Sequence, residues 1–186
     1  MKPNFRVYIS SPSKDYLDDR QQRLLNGILD QIIGADYIPL NQSGYFFPEH
    51  FKNERSLDIK MSLDGMDILM KECRGAMVLA FALWQVSDSS GKTVGFTATE
   101  NNHLEGALAI SQGLPLLIIT EENVRLRGIT SIGGGRFVVR IPNYADLDWL
   151  DSDSFQQPFN DWRRAINLRR HVFLGYCSTA ARQRDF

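Results

Sequence analysis

The spacing of apolar residues changes several times along this chain, and each change marks an element. FRVYIS at 5–10 alternates and is rich in β-formers, which predicts a first strand ending in a Ser-Ser-Pro-Ser loop. Leu17, Leu24, Leu25, Ile28, Leu29 and Ile32 recur at helical spacing, and Ser13 followed by acidic residues marks the expected helix start. DYIPL at 36–40 reads as a second strand, and NQSGYFFPEHF after it as a loop with exposed aromatics. Ile59, Leu63, Met66, Met70 and Cys73 form one stripe, so a second helix is expected over 55–73. AMVLAFAL at 76–83 is apolar on both faces, as a central parallel strand must be, and PLLIIT at 115–120 repeats that signature. Between them lie a polar, glycine-containing loop at 85–98 and a helix rich in small residues. RFVVRI at 136–141 is a last strand, entered from the glycine turn at 133–135.

Five strands alternating with helices predict an α/β domain: three layers with a central, mostly parallel five-stranded sheet covered on both faces. Ligands of such sheets bind beyond the carboxyl ends of the strands, where the loops at 10–14 and 83–99 and the one after the second strand gather. From about residue 145 the pattern changes to an acidic, aromatic stretch and then a basic one, RRAINLRRHVFLGY. The expected division is 1–145 for the α/β domain and 146–186 for a C-terminal helical extension packed on it. A basic helix of this kind also serves partner binding or self-assembly.

Composition alters little. With 186 residues and a formal net charge of −1, the chain suits one domain, and nothing in its balance calls for nucleic acid or an anionic membrane. The first thirty residues carry charge throughout, the longest apolar run (75–84) is about half a bilayer span, and Cys73 and Cys177 have no metal-like spacing. A cytoplasmic location with reduced cysteines is the expectation. Gly91-Lys92-Thr93 matches the end of a phosphate loop, but Val86 stands where that loop needs its first glycine. No G-x-G-x-x-G, no G-x-S-x-G and no histidine spacing suited to a metal is present, so no metal and no resident cofactor are expected.

Candidate chemistry centres on TENNHLEGALAI at 99–110. Asn102 and Glu105 fit a capping box, with Asn102 as N-cap and Glu105 at the third helical position, which is an ordinary structural role. The same placement favours an ionised carboxylate at the sheet rim, and an anion there can face the oxocarbenium-like carbon of a breaking glycosidic bond. Gly106, which weakens a helix, is not required by a cap. Ser10 and Ser11, with Ser13, are candidates to hold phosphate or ribose oxygens, against simple turn chemistry. Trp84 is a candidate to stack on a base, against core packing. Phe46, with Tyr45 and Phe47, is a candidate substrate cover, against a loop anchor. Asp67, at the edge of its helix's stripe, is either a second site carboxylate or a surface residue.

Three stretches, RVYISSPSKD, ECRGAMVLAFALW and TENNHLEGALAISQGLPLLII, resemble, in order over about residues 5–140, the TIR-like and nucleoside 2-deoxyribosyltransferase-like superfamily. The resemblance implies a flavodoxin-like, TIR-like fold with Glu105 as the catalytic carboxylate. TIR domains have Ser six residues before that Glu and deoxyribosyltransferases have Asp; here Thr99, a hydroxyl, resembles the TIR side. Asp67 matches an Asp of the deoxyribosyltransferases. Asn102 is a candidate to orient a ribose hydroxyl. Nicotinamide leaves NAD as a neutral pyridine, so one carboxylate suffices, whereas a purine leaving a nucleoside needs an acid as well. The expected activity is therefore an NAD glycohydrolase or ADP-ribosyl cyclase type of N-glycosidase, with NAD as substrate, in nucleotide signalling or antiviral defence. The alternatives are a nucleoside 2-deoxyribosyltransferase or deoxynucleoside monophosphate N-hydrolase, and a non-catalytic assembly scaffold. Expected partners are NAD or another small nucleotide, further copies of the chain and a downstream effector protein, without nucleic acid or membrane.

Overall fold

The computed structural model describes residues 5–41, 44–45, 63–131 and 137–181. Its elements in chain order are β1 (Phe5–Ser10), α1 (Asp19–Gly34), β2 (Tyr37–Asn41), β3 (Gly44–Tyr45), α2 (Leu63–Lys71) and β4 (Gly75–Ala80). There follow β5 (Trp84–Ser87), β6 (Thr93–Thr97), α3 (Glu100–Ser111), β7 (Leu116–Glu121), β8 (Phe137–Ile141) and α4 (Asp153–Ala181). The main sheet runs β3-β2-β1-β4-β7-β8. Its five long strands are parallel, and the two-residue β3 adds an antiparallel edge beside β2. This is a flavodoxin-like three-layer α/β fold: from β1 the chain goes first to β2 on one side and then to β4 on the other. The switch of direction falls at the carboxyl ends of β1 and β4, the edge where such sheets bind ligands.

Residues of alternating parity along each strand go to opposite faces. Val7 and Ile9 of β1, Met77 and Leu79 of β4 and Leu117 and Ile119 of β7 pack with α1 and with the aromatic stripe of α4. That stripe, Phe155, Phe159, Trp162 and Ile166, repeats at three- and four-residue steps and is fully buried. Trp162 Nε1 donates to the Pro115 carbonyl at 3.0 Å. Gly75 lets α4 come close, because a Cβ there would stand 2.6 Å from Ile166 Cδ1. On the opposite face Tyr8, Ala76, Val78, Ala80 and Ile118 pack with Leu69 and Met70 of α2 and Ala109 of α3.

Several elements differ from the sequence reading. The expected polar loop at 85–98 is an antiparallel hairpin, β5 on β6. Its turn is shaped by Asp88, whose Oδ1 accepts from Ser90 N at 2.8 Å and Lys92 N at 3.1 Å, and by Gly91 at φ 82°. The first helix does not start from Ser13. Residues Lys14–Tyr16 make a 3₁₀ turn, and α1 is capped by Asp18, whose side chain accepts from Gln21 N while Gln21 Oε1 accepts from Asp18 N. A reciprocal box outcompetes a lone serine. Of the helix expected over 55–73, Leu63–Lys71 is helical, and the portion before Leu63 lies outside the described residues. Among the described residues, no helix is long and apolar enough to cross a membrane.

Candidate active site

β1 offers two hydroxyls to the α3 side of the sheet, because Tyr8 and Ser10 are two residues apart and therefore share a face. Both are buried, at 1% exposure each. Opposite them, α3 turns Asn102, Glu105, Gly106 and Ala109 inward at helical spacing. The hydroxyls and the helix meet in a chain of hydrogen bonds. Thr99 Oγ1 donates to Asn102 Oδ1 at 2.9 Å, and Asn102 Nδ2 donates to Ser10 Oγ at 2.8 Å. Ser10 in turn donates to the Glu105 carboxylate. Tyr8 Oη donates to Glu105 Oε1 at 2.6 Å.

The helix start corrects two expectations. Thr99, not Asn102, is the N-cap: its Oγ1 accepts from Asn102 N at 3.2 Å, and α3 begins at Glu100. Glu105 is thus the sixth helical residue, beyond the first turn in which the helix dipole acts. It is no capping-box partner. Its side chain is turned to the sheet and is 4% exposed, so burial raises its pKa, and the hydrogen bonds from Ser10 and Tyr8 oppose that rise. The same surroundings raise Tyr8, chiefly by burial and then by the adjacent Glu105 charge. Gly106 also has a packing reason. A Cβ there would lie 2.6 Å from Ile129 Cγ1 and 3.3 Å from Val78 Cγ2, so the glycine lets α3 settle on β4 and on the 3₁₀ turn at Gly128–Ser131.

Trp84 stands on the rim. It opens β5, is half exposed, and its ring lies 6.2 Å from that of Tyr16, itself exposed on the loop between β1 and α1. The two exposed rings pack against each other at a tilt of 54°, and such an exposed aromatic face can stack on a planar group. Ser11 is half-buried on the same loop. The anion cradle expected there at a helix N-terminus is absent, because α1 starts eight residues further on, with Asp18 and Asp19 at its tip. Two carboxylates repel an anion.

Asp67 is not in the cluster. It accepts from Gln112 Nε2 at 2.7 Å, at the C-terminal end of α3, and pairs with Lys71 one turn along α2. The hydrogen bond from Lys71, ahead of that from Gln112, lowers its pKa. Phe46 and Phe47 lie outside the described residues, as does the side chain of Tyr45. His103, beside the cluster, accepts from Ile129 N at 3.3 Å, and burial followed by the Arg127 charge lowers its pKa. Among the described residues no group of three or more His, Cys, Asp or Glu is placed to hold a metal ion.

Sequence reasoning missed two residues. Tyr8 reads as a β-former, yet it supplies a 2.6 Å bond to Glu105; the signal was the polar face Arg6, Tyr8, Ser10 on an otherwise apolar strand. Glu121, at the end of β7 and 1% exposed, is a second buried carboxylate. It pairs with Arg20 and accepts from Gln21 Nε2 at 2.8 Å and Ala82 N at 2.6 Å, so it ties α1 to the start of the hairpin.

No protein-family model matches the chain. No curated protein matches it either. Among solved structures it is similar to the Clostridium botulinum CMP N-glycosidase BcmB, with 16% identity and a TM-score of 0.39 over 78% of this chain and 98% of that one.

Proposed function

We propose that this chain is an N-glycosidase that breaks the bond between base and sugar in a nucleoside or nucleotide, with Glu105 as the carboxylate that meets C1′. One observation carries the reading: a carboxylate buried at the switch-point edge of a parallel sheet, held by the Tyr8 and Ser10 hydroxyls and by no cation among the described residues. As the C–N bond breaks, its electron pair leaves with the base and positive charge grows on the sugar. A poorly hydrated anion interacts with that charge far more strongly than one in water. Two neutral donors hold the carboxylate without neutralising it, and Asn102 and Thr99 hold Ser10 in turn. A buried carboxylate with only neutral partners costs folding energy, which counts against the scaffold reading.

NAD cleavage is a second reading, and the position of Asp67 favours it. With Asp67 engaged at the far end of α3, it is not available to protonate a departing base, and nicotinamide needs no such proton. The test is base release from ribonucleosides, deoxyribonucleosides, their 5′-monophosphates and NAD, followed by chromatography. Wild type is expected to release base from at least one class, and Glu105→Gln to lose about 10²-fold or more of that rate. Equal rates in the two proteins, or silence across the panel, would reject the assignment.

A further inference from the structure

The loop after β7 extends the hairpin. Phe96 N donates to Asn123 O at 3.1 Å and Arg125 N to Phe96 O at 2.8 Å, so 123–125 runs beside β6 as a third strand would. Side chains alternate there as in any sheet: Val124 goes inward, 3% exposed, and Arg125 goes to the other face. On that second face stand Gly95 and Thr97 of β6, with Trp84 directly across from Thr97. Gly95, at φ 145°, makes room for the arginine, since a Cβ there would lie 2.8 Å from Arg125 Cγ. Val86, Thr97, Arg125, Leu126 and Arg127 line a cavity of about 210 Å³.

Neither arginine has a carboxylate partner among the described residues, although the chain pairs Arg6, Arg20, Arg23 and Arg164 with acids. Two unpaired arginines lining one cavity bring two positive charges to it, and planar, forked donors match phosphate oxygens. The field reaches inward, where the Arg127 charge adds to burial in lowering the His103 pKa. The same face carries Trp84 one cross-strand step away, and the Trp84 ring packs against that of Tyr16.

We infer that the Arg125–Arg127 cavity is a phosphate subsite, so that the substrate of the glycosidase proposed above is a nucleotide rather than a free nucleoside. The inference rests on that reading for its substrate but not for its test. Inorganic pyrophosphate, which has no glycosidic bond, is titrated calorimetrically into the full chain as wild type, Glu105→Gln and the double variant Arg125→Gln/Arg127→Gln. The glutamines keep an aliphatic stem over Gly95 and remove the charge at two exposed positions, and circular dichroism checks that the variant is folded. Wild type and Glu105→Gln are expected to bind alike, and the double variant about ten-fold or more weaker. No binding by wild type, or equal binding by the folded double variant, overturns the subsite. Base release that fails while pyrophosphate still binds would remove the glycosidase and leave the anion site standing.

Discussion

Replacing Tyr8 with Phe removes one hydroxyl and nothing else of size, from a side chain that is 1% exposed. What it deletes is the 2.6 Å bond to Glu105. A hydrogen bond to an ionised group contributes roughly 1.5–3 kcal/mol, against about 1 kcal/mol for a neutral pair. The loss therefore depends on whether Glu105 is charged. Burial already raises its folded pKa above the ordinary carboxylate value, and losing Tyr8 raises it further, because the Tyr8 bond was one of the two influences opposing burial. A carboxyl whose folded pKa is raised binds its proton more tightly folded than unfolded, so its contribution to stability falls as pH rises through ionisation. The deficit of Tyr8→Phe should then be smallest in acid, where Glu105 is protonated in both proteins. It should reach about 2 kcal/mol or more once Glu105 is ionised. Urea unfolding followed by tryptophan fluorescence, repeated from acid to alkaline pH over the range in which both proteins fold, measures it, and the acidic limb of any base-release profile should move to higher pH in the variant. In a Glu105→Gln background the pH dependence of the deficit should vanish. A deficit that is the same at the acidic and alkaline ends of that range, or that keeps its pH dependence without Glu105, would show that Tyr8 acts by packing and not through the carboxylate.

Glu121→Ala should cost roughly 3 kcal/mol, the lower end for breaking a buried pair, because Arg20 keeps some access to water while Ala82 N loses its acceptor. Denaturant midpoints measure the loss, and a cost under about 1 kcal/mol would mean the pair rehydrates freely. Thr99→Ala should remove about 1 kcal/mol as a lost N-cap, and Thr99→Ser should restore most of it. Equal stability of Ala and Ser at that position would deny the cap.

The parallel sheet was legible in the sequence because each central strand is buried on both faces and writes itself as an unbroken apolar run, as GAMVLA and LLIITE do. The β5–β6 hairpin was not. Its strands expose Trp84, Gln85, Ser87, Thr93 and Val94, so no alternation marks them, and the pairing depends on a turn built by one aspartate and one glycine. Start positions suffered differently: Ser13 and Asn102 are acceptable caps, but Asp18 with Gln21 three residues on makes a reciprocal box at α1, and Thr99 accepts from Asn102 N at α3. Of the site, Glu105, Asn102, Thr99 and Ser10 were readable, and the structure brings all four into one hydrogen-bonded chain. Tyr8 was hidden because its partner is 97 residues away, and Asp67 misled because its helix contacts the wrong end of α3.

The two buried carboxylates of this fold separate what a stable scaffold needs from what chemistry needs. They lie on opposite faces of the sheet: Glu121 reaches from β7 to α1, and Glu105 reaches from α3 to β1. Glu121 meets a guanidinium, an amide side chain and a backbone N–H, which together replace the water it lost. That arrangement locks the start of the hairpin and leaves no oxygen for a ligand. Glu105 meets two hydroxyls and no positive charge among the described residues, so its anion stays under-compensated and its proton affinity rises. A sequence selected only to fold would relieve that state with a nearby Lys or Arg, or with an apolar side chain of like size, either of which is often neutral or stabilising. Keeping the carboxylate makes sense when its missing counter-charge arrives with the substrate, as it does on a sugar carbon losing its base. In the glycosidase proposed above, the tyrosine and serine would aim the carboxylate and leave its charge to be met by that carbon.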